Sequence, residues 1–251
     1  MESANKKLVI FDCDGVLNLN QTEAYKHVIS KTVEMSGVSV DPAKLNQMMR
    51  KLWGLPPVDI ATEYIKSNGD IKTDGADDIE ATYMGVLRKD FADMIEPVPG
   101  AKEMLGRLKH RFKLALNTAS DERVLYQKVM PKLGIVNPLE IFQGGVITAM
   151  NLKRGTIKPK PEPDSTFALL EINEVEPEEA IMVGDSPADI LTALYAGVND
   201  IVVPTTGMIT RRQAPLYQKE YGVEIVPDVT YLETERLLGR TATKHLSTNG
   251  C

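Results

Sequence analysis

Lys7-Leu-Val-Ile-Phe-Asp12-Cys-Asp14-Gly-Val-Leu17 decides how the rest of the chain is read, because four apolar residues in a row run directly into two acids and a glycine. A short run of β-branched and aromatic residues suits a parallel strand covered on both faces, and α/β sheets hold their ligands at the carboxyl ends of such strands. Asp12 and Asp14 are therefore expected at that rim. Residues two apart in an extended segment point the same way, and Gly15 allows a turn tight enough for both carboxylates to face one pocket. Two like charges that close require a counter-ion. The competing reading has the same acids merely capping a strand-to-helix turn.

Beyond Leu17 the period changes. Tyr25, Val28, Ile29, Thr32, Val33 and Met35 recur at three and four, which predicts an amphipathic helix ended by Gly37. Asp41-Pro42 opens a second helix as an N-cap followed by proline, and Trp53-Gly-Leu-Pro-Pro57 breaks it. Helical pattern resumes through Ile60, Tyr64 and Ile65 and, after a polar loop, from Ile79 to Met94. With no strand pattern between about 18 and 95, this is an all-helical insert between two hinge-like segments, Asn18 to Gln21 and Glu96 to Gly100. From Ala101 helix and strand alternate: helix 101–109, strand 112–116, helix 121–133, short strands near 140–148, helix 164–172, strand 180–183, helix 187–196 and strand 200–203, with one more strand at 223–226. Such alternation implies right-handed crossovers and a mostly parallel sheet with helices on both faces. The expected architecture is a Rossmann-like α/β core from residues 1–17 and 96–251, interrupted by a helical domain at 18–95.

Three later strand ends repeat the logic of the first. Leu114-Ala-Leu-Asn117-Thr118-Ala119-Ser120 opens into hydroxyls before a helix, where a hydroxyl and orphan amides can hold a phosphate, or where Thr118 is simply an N-cap. In Lys158-Pro-Lys160-Pro-Glu-Pro-Asp164 each lysine precedes a proline, so the backbone is held extended and can aim an ammonium; a solvated Pro/Lys loop is the bland alternative. Ala180-Ile-Met-Val-Gly184-Asp185-Ser-Pro-Ala-Asp189 ends another buried strand with acids four apart. Carboxylates from two strand ends, completed by waters and a phosphate oxygen, suit Mg²⁺, unless the acids only complement a helix dipole.

Composition narrows the partners. A net charge of −6 and a pI near 5.3 leave no sustained basic face, so neither nucleic acid nor an anionic membrane is expected, and small solutes remain. The start lacks an apolar targeting segment and no run of eighteen apolar residues occurs, which points to the cytoplasm. Cys13 and Cys251 do not make a disulfide framework, and Cys13 reads as a small apolar filler.

Each strand end has a bland explanation, but all four falling in the order of one α/β core does not. The chain resembles the haloacid dehalogenase superfamily, in its phosphatase branch with a helical cap after the first motif. Asp12-Cys-Asp14-Gly15-Val16 matches the first motif, Thr118 the second, Lys160-Pro-Glu-Pro-Asp164 the third, with Lys158 a weaker match, and Gly184-Asp185-Ser-Pro-Ala-Asp189 the fourth. The resemblance implies that Asp12 attacks phosphorus to form an aspartyl-phosphate. It also implies that Asp14 protonates the leaving alcohol and then activates water. Thr118, the amide of Ala119 and Lys160 hold the phosphoryl oxygens, and Mg²⁺ is bound by Asp12, the Asp14 carbonyl and Asp185 with Asp189 in support. The substrate is then a small phosphorylated metabolite. A phosphomutase of the β-phosphoglucomutase type uses the same motifs; hydrolysis is favoured because Tyr25 is followed by Lys26 where that mutase pairs Tyr with His. Dehalogenase and phosphonate chemistry do not use the second acid, and a receiver-like signalling module is about half this length. The chain departs from the family at Asn18-Leu19-Asn20 and at Asn117. Asn18 and Asn20, with Trp53 and Leu55 in a loop of the insert, are therefore the candidate specificity residues, Trp53 being alternatively a core residue of the insert.

Overall fold

The computed structural model describes residues 6–52, 56–69, 76–149, 151, 157–232 and 237. Trp53, Leu55 and Cys251 lie outside the described residues. Eight strands are present among them: β1 (Leu8–Phe11), β2 (Asn18–Leu19), β3 (Glu96–Pro97), β4 (Lys113–Asn117), β5 (Val146–Ile147), β6 (Ala180–Val183), β7 (Ile201–Pro204) and β8 (Glu224–Val226). Six form one sheet in the order β5-β4-β1-β6-β7-β8, with every pairing parallel. All four residues of β1 are fully buried, as an unbroken apolar run in the middle of a covered sheet requires.

The register places the chemistry. Phe11 lies beside Leu116 on one side and Val183 on the other, so Asp12, Asn117 and Gly184 each come one residue later on adjacent strands. The Asp12 amide donates to the Val183 carbonyl at 2.8 Å, which carries the alignment past the strand ends. The three motif-bearing strands are thus neighbours, although more than 60 residues separate each from the next in the sequence. Helices 101–108, 164–173, 187–195 and 214–221 join the strands, and Leu169, Leu170, Ile190 and Ala193 pack in one buried cluster with Leu8, Ile10, Ala115 and Met182.

The chain divides into two compact units, Met1–Leu19 with Glu96–Cys251, and Asn20–Ile95. The second is helical. Gln21–Met35 buries Ala24, Val28, Ile29, Thr32 and Val33 along one stripe, and Asp41 caps Pro42–Lys51 by accepting from the Ala43 amide at 2.8 Å. Pro57–Asn68 follows, and Ala76–Val86 continues through a π-turn at Leu87–Phe91 into Ala92–Met94. Tyr25, expected on the apolar stripe, packs against Phe91 with ring centroids 4.6 Å apart and planes tilted by 43°, whereas Met35 is exposed. No helix among the described residues is long and apolar enough to cross a membrane.

Three elements differ from expectation. The hinge-like segments pair as a two-stranded antiparallel ribbon, β2 with β3, Asn18 opposite Pro97 and Leu19 opposite Glu96; two residues per strand are too few to show a period. Residues 138–141 form a helix and leave only Val146–Ile147 as strand. Asn137 accepts from the Leu139 amide and Pro138 occupies the first helical position, a start signal that outweighs the apolar residues after it. Ala214–Tyr221 is a further helix whose one buried residue is Ala214, so it carries almost no amphipathic signal.

Candidate active site

Asp12 leaves β1 buried, and the chain turns back at Gly15, whose φ of 80° is open to glycine without strain. The Leu17 amide closes the turn by donating to the Cys13 carbonyl at 2.8 Å. Asp14 is partly exposed. Its Oδ1 accepts from Asn18 Nδ2 at 2.9 Å and its Oδ2 from Ser120 Oγ at 2.8 Å.

At the end of β4 the capping role belongs to Asp121, which accepts from the amides of Arg123 and Val124. Thr118 is therefore not an N-cap. Its hydroxyl donates to Ser120 Oγ at 3.0 Å and accepts from the Ser120 amide at 3.1 Å, while Ala119 is exposed at the strand end. Asn117 is buried, with its amide donating to Ser165 Oγ at 2.9 Å.

Of the two loop lysines, Lys158 is exposed and Lys160 enters the site. Its ammonium spends three donors at once, on Asp12 Oδ1 at 3.0 Å, Asp189 Oδ1 at 2.6 Å and the Asn117 carbonyl at 3.1 Å. The Thr192 hydroxyl donates to the Glu162 carbonyl at 2.6 Å and ties the proline loop to helix 187–195. At the fourth strand end both readings of the acids apply to different atoms. Ser186 is the N-cap, and Asp189 Oδ2 completes a capping box with its amide and hydroxyl, leaving Oδ1 for Lys160.

The loop after β7, which none of the four motifs marks, completes the site. The Met208 amide donates to Asp185 Oδ2 at 2.5 Å, and the Thr206 hydroxyl donates to the Gly15 carbonyl at 2.6 Å. Gly207 lies so close that a Cβ there would fall 1.8 Å from Asp185 Oδ2. The signal was present: Ile201-Val-Val-Pro-Thr205-Thr206-Gly207 is another apolar strand opening into hydroxyls and glycine, as at Thr118.

Asp12, Asp185 and Asp189 present oxygens within 4.8 Å of one another, all buried. Burial, reinforced by the charges of Asp189 and Asp14 against the opposing pull of Lys160, raises the Asp12 carboxyl from its ordinary range to about 7. Burial, then Asp189 and Asp12, likewise push Asp185 well up. Burial works against the charge of Lys160, but Asp12 and Asp189 outweigh it and keep the ammonium protonated. One cation facing three buried acids is a site short of positive charge, and an all-oxygen donor set fits a hard metal ion. Cys13 is buried beside Asp14 and Asp12, which pushes its thiol well up and keeps it from nucleophilic use.

The sequence profile of haloacid dehalogenase-like hydrolases matches residues 9–203. The chain belongs to the haloacid dehalogenase-like hydrolases. Within this family it is 29% identical over 204 residues to a phosphoglycolate phosphatase of Rhodospirillum rubrum, spanning 78% of this chain and 79% of that one. It is also 29% identical over 201 residues to the validoxylamine A 7′-phosphate phosphatase of Streptomyces hygroscopicus subsp. limoneus, spanning 80% and 86%. The fold matches that of CbbY from Rhodobacter sphaeroides, solved in complex with phosphate, with a TM-score of 0.69 at 20% identity over 95% of this chain and 99% of that one. The relatives of this hydrolase by sequence are phosphatases, and the acids of its first and fourth motifs are those the structure gathers at the sheet end.

The contact at Gly207 gives a first expected result. Gly207→Ala forces Asp185 or its loop aside, and if the three acids hold a divalent cation its affinity should fall about 10- to 100-fold, the usual cost of disturbing what orients a ligand. Titration calorimetry with Mg²⁺ measures it, and unchanged affinity would show that the loop does not set Asp185.

Proposed function

We propose that this protein hydrolyses small phosphate monoesters with Mg²⁺, through an aspartyl-phosphate on Asp12. The observation that carries the reading is the convergence of Asp12 and Asp185, buried and brought together by the register of Phe11 against Val183, with the Lys160 ammonium on Asp12 Oδ1. Lys160 bonds Asp12 at Oδ1, and we assign attack to Oδ2. As that oxygen bonds to phosphorus, the bond to the leaving oxygen breaks and Asp14 supplies that oxygen's proton. Water then attacks the same phosphorus, Asp14 takes its proton, phosphate leaves and the Asp12 carboxylate is restored. Lys160, the Thr118 hydroxyl and the Ala119 amide hold the phosphoryl oxygens through both steps. Asp12, the Asp14 carbonyl and Asp185 hold Mg²⁺, which supplies electrostatic neutralisation of the phosphoryl group. Asp189, with one oxygen on Lys160 and the other in its capping box, orients the lysine. We assign substrate choice to the helical unit acting as a cap, with Trp53, Leu55 and Asn20 as its candidate residues. Asn20, at φ 67°, is a residue type that tolerates the left-handed turn starting helix Gln21–Met35.

Initial rates on a panel of alkyl, sugar and aryl phosphates with Mg²⁺ test the reading. Turnover of at least one ester that vanishes in excess EDTA is expected; no turnover across the panel, or full activity in EDTA, would overturn it. A binding measurement accompanies the rates. Mg²⁺ at about 100 times its Kd stabilises the fold by about 2.7 kcal/mol, or about 5–10 °C in melting temperature for a chain of this size. The shift should be larger at pH 8 than at pH 5.5, because below about 7 the cation has to displace a proton from Asp12. A shift independent of pH would separate Asp12 from the metal.

A further inference from the structure

We propose that Asn18 is a positioning residue for Asp14. The inference rests on Asp14 being the general acid and base of the reaction above. Asn18 is 1% exposed, and both ends of its amide face inward: Nδ2 donates to Asp14 Oδ1 at 2.9 Å, and Oδ1 accepts a longer bond from the Gly15 amide at 3.4 Å. The reverse orientation would set two oxygens together and two N–H groups together, so the surroundings fix which end is which. A second, long contact runs from Nδ2 to Cys13 Sγ at 3.8 Å, so the buried amide is turned toward its own chain.

The geometry explains why such a brace is needed. Asp14 lies past the end of β1 on a turn and is partly exposed, so burial alone does not fix the plane of its carboxylate. Asn18 holds one oxygen and Ser120, from the end of β4, holds the other at 2.8 Å, fixing the carboxylate plane from two sides. Asn18 is itself preset, because β2 pairs with β3 and the Val98 amide donates to the Leu17 carbonyl at 3.0 Å. The donor is therefore anchored by backbone that belongs to neither motif strand. A proton must pass between Asp14 and an oxygen on phosphorus, and a misplacement of about 1 Å in such a group costs on the order of 10²-fold.

A double-mutant cycle tests this. Asn18→Leu keeps the branched shape, at some cost in bulk, and removes the donor. In the otherwise unchanged protein it should lower kcat for an alkyl phosphate about 10- to 100-fold with KM little changed. Phosphoenzyme formation from an aryl phosphate with a good leaving group, which needs little protonation, should change less than about threefold. In the Asp14→Asn background the same substitution should be silent, because the group it orients is already gone. Equal losses in both backgrounds, or equal losses on both esters, would reduce Asn18 to a structural residue and overturn the proposal. Asn18→Ala, which removes the donor without adding bulk or charge, is expected to give the same ester-selective loss and serves where leucine impairs folding. If Asp14→Asn itself costs less than about threefold, the acid–base reading falls and the positioning role with it; a large Asp14→Asn effect with an additive Asn18 effect removes the positioning role alone.

Discussion

Asp12→Asn is expected to abolish phosphate ester turnover, with a loss on the order of 10⁴-fold or more, the scale seen when a catalytic nucleophile is removed. The amide is nearly isosteric, and its oxygen can still accept from Lys160 where Asp12 Oδ1 does at 3.0 Å, so the fold has no reason to fail. It should even gain. The carboxyl at position 12 is forced up to about 7 by burial and by Asp189 and Asp14, and a neutral side chain relieves that crowding. The expected outcome is therefore a split: activity lost, while the melting temperature in EDTA at pH 8 is equal to or above that of the unchanged protein. Trapping the phosphoenzyme from acetyl phosphate adds a direct check, since label should fail to attach to the variant. Retained labelling would move the nucleophile to another side chain.

Lys160→Met should produce the largest loss of stability. The ammonium satisfies two buried carboxylates and the Asn117 carbonyl, and deleting one partner of a buried charge pair costs about 3–5 kcal/mol because the other is left uncompensated. At about 2–4 °C per kcal/mol for a chain of this length, the metal-free protein should melt about 10 °C lower. The sign of the pH dependence follows from Asp12. Its folded-state pKa of about 7 lies above the ordinary 3.8, so the fold takes up a proton the unfolded chain releases. The metal-free protein accordingly loses stability as pH rises between those values, with the full penalty above 7. Lys160 opposes that rise, and without it Asp12 holds its proton more tightly. The deficit of the variant is thus greatest near pH 8. It shrinks toward pH 5, where Asp12 is protonated in both proteins and the contact with Asp189 is the main difference left. Melting curves in EDTA across this range decide it, and a variant as stable as the parent at pH 8 would mean that the ammonium does not hold the acids together.

The sheet and most of the site could be read from the sequence because parallel strands write their burial directly into composition. Leu8–Phe11 and Ala180–Val183 are apolar throughout, and the residues that end them are polar for a reason that packing does not supply. Spacing alone could not choose between capping and chemistry. The structure resolves that choice differently at each end: Asp121 takes the cap that frees Thr118, whereas Asp189 caps with one oxygen and binds Lys160 with the other. What escaped were contacts whose partners lie far apart in sequence and whose residues are ordinary in type. Ser120 reaches Asp14 across 106 positions and Thr206 reaches Gly15 across 191; no local pattern marks either. Asn18 was legible as a departure, but only its burial and its bond to Asp14 give the departure a physical content.

The ribbon of β2 and β3 also says how a chain can carry a large excursion without disturbing the strand that ends in Asp12. Asn18 stands opposite Pro97 and Leu19 opposite Glu96, so the backbone that departs at residue 20 is back within one antiparallel pairing distance, about 5 Å, at residue 95. To the sheet, everything between those points is equivalent to a hairpin turn. Lengthening such an excursion adds loop-closure entropy only logarithmically, and its two ends are already clamped together whatever lies beyond them. The segment is therefore free to be lengthened, recast or exchanged over evolutionary time, or replaced in the laboratory by a two-residue Asn-Gly turn, while the strand that ends in Asp12 keeps its neighbours.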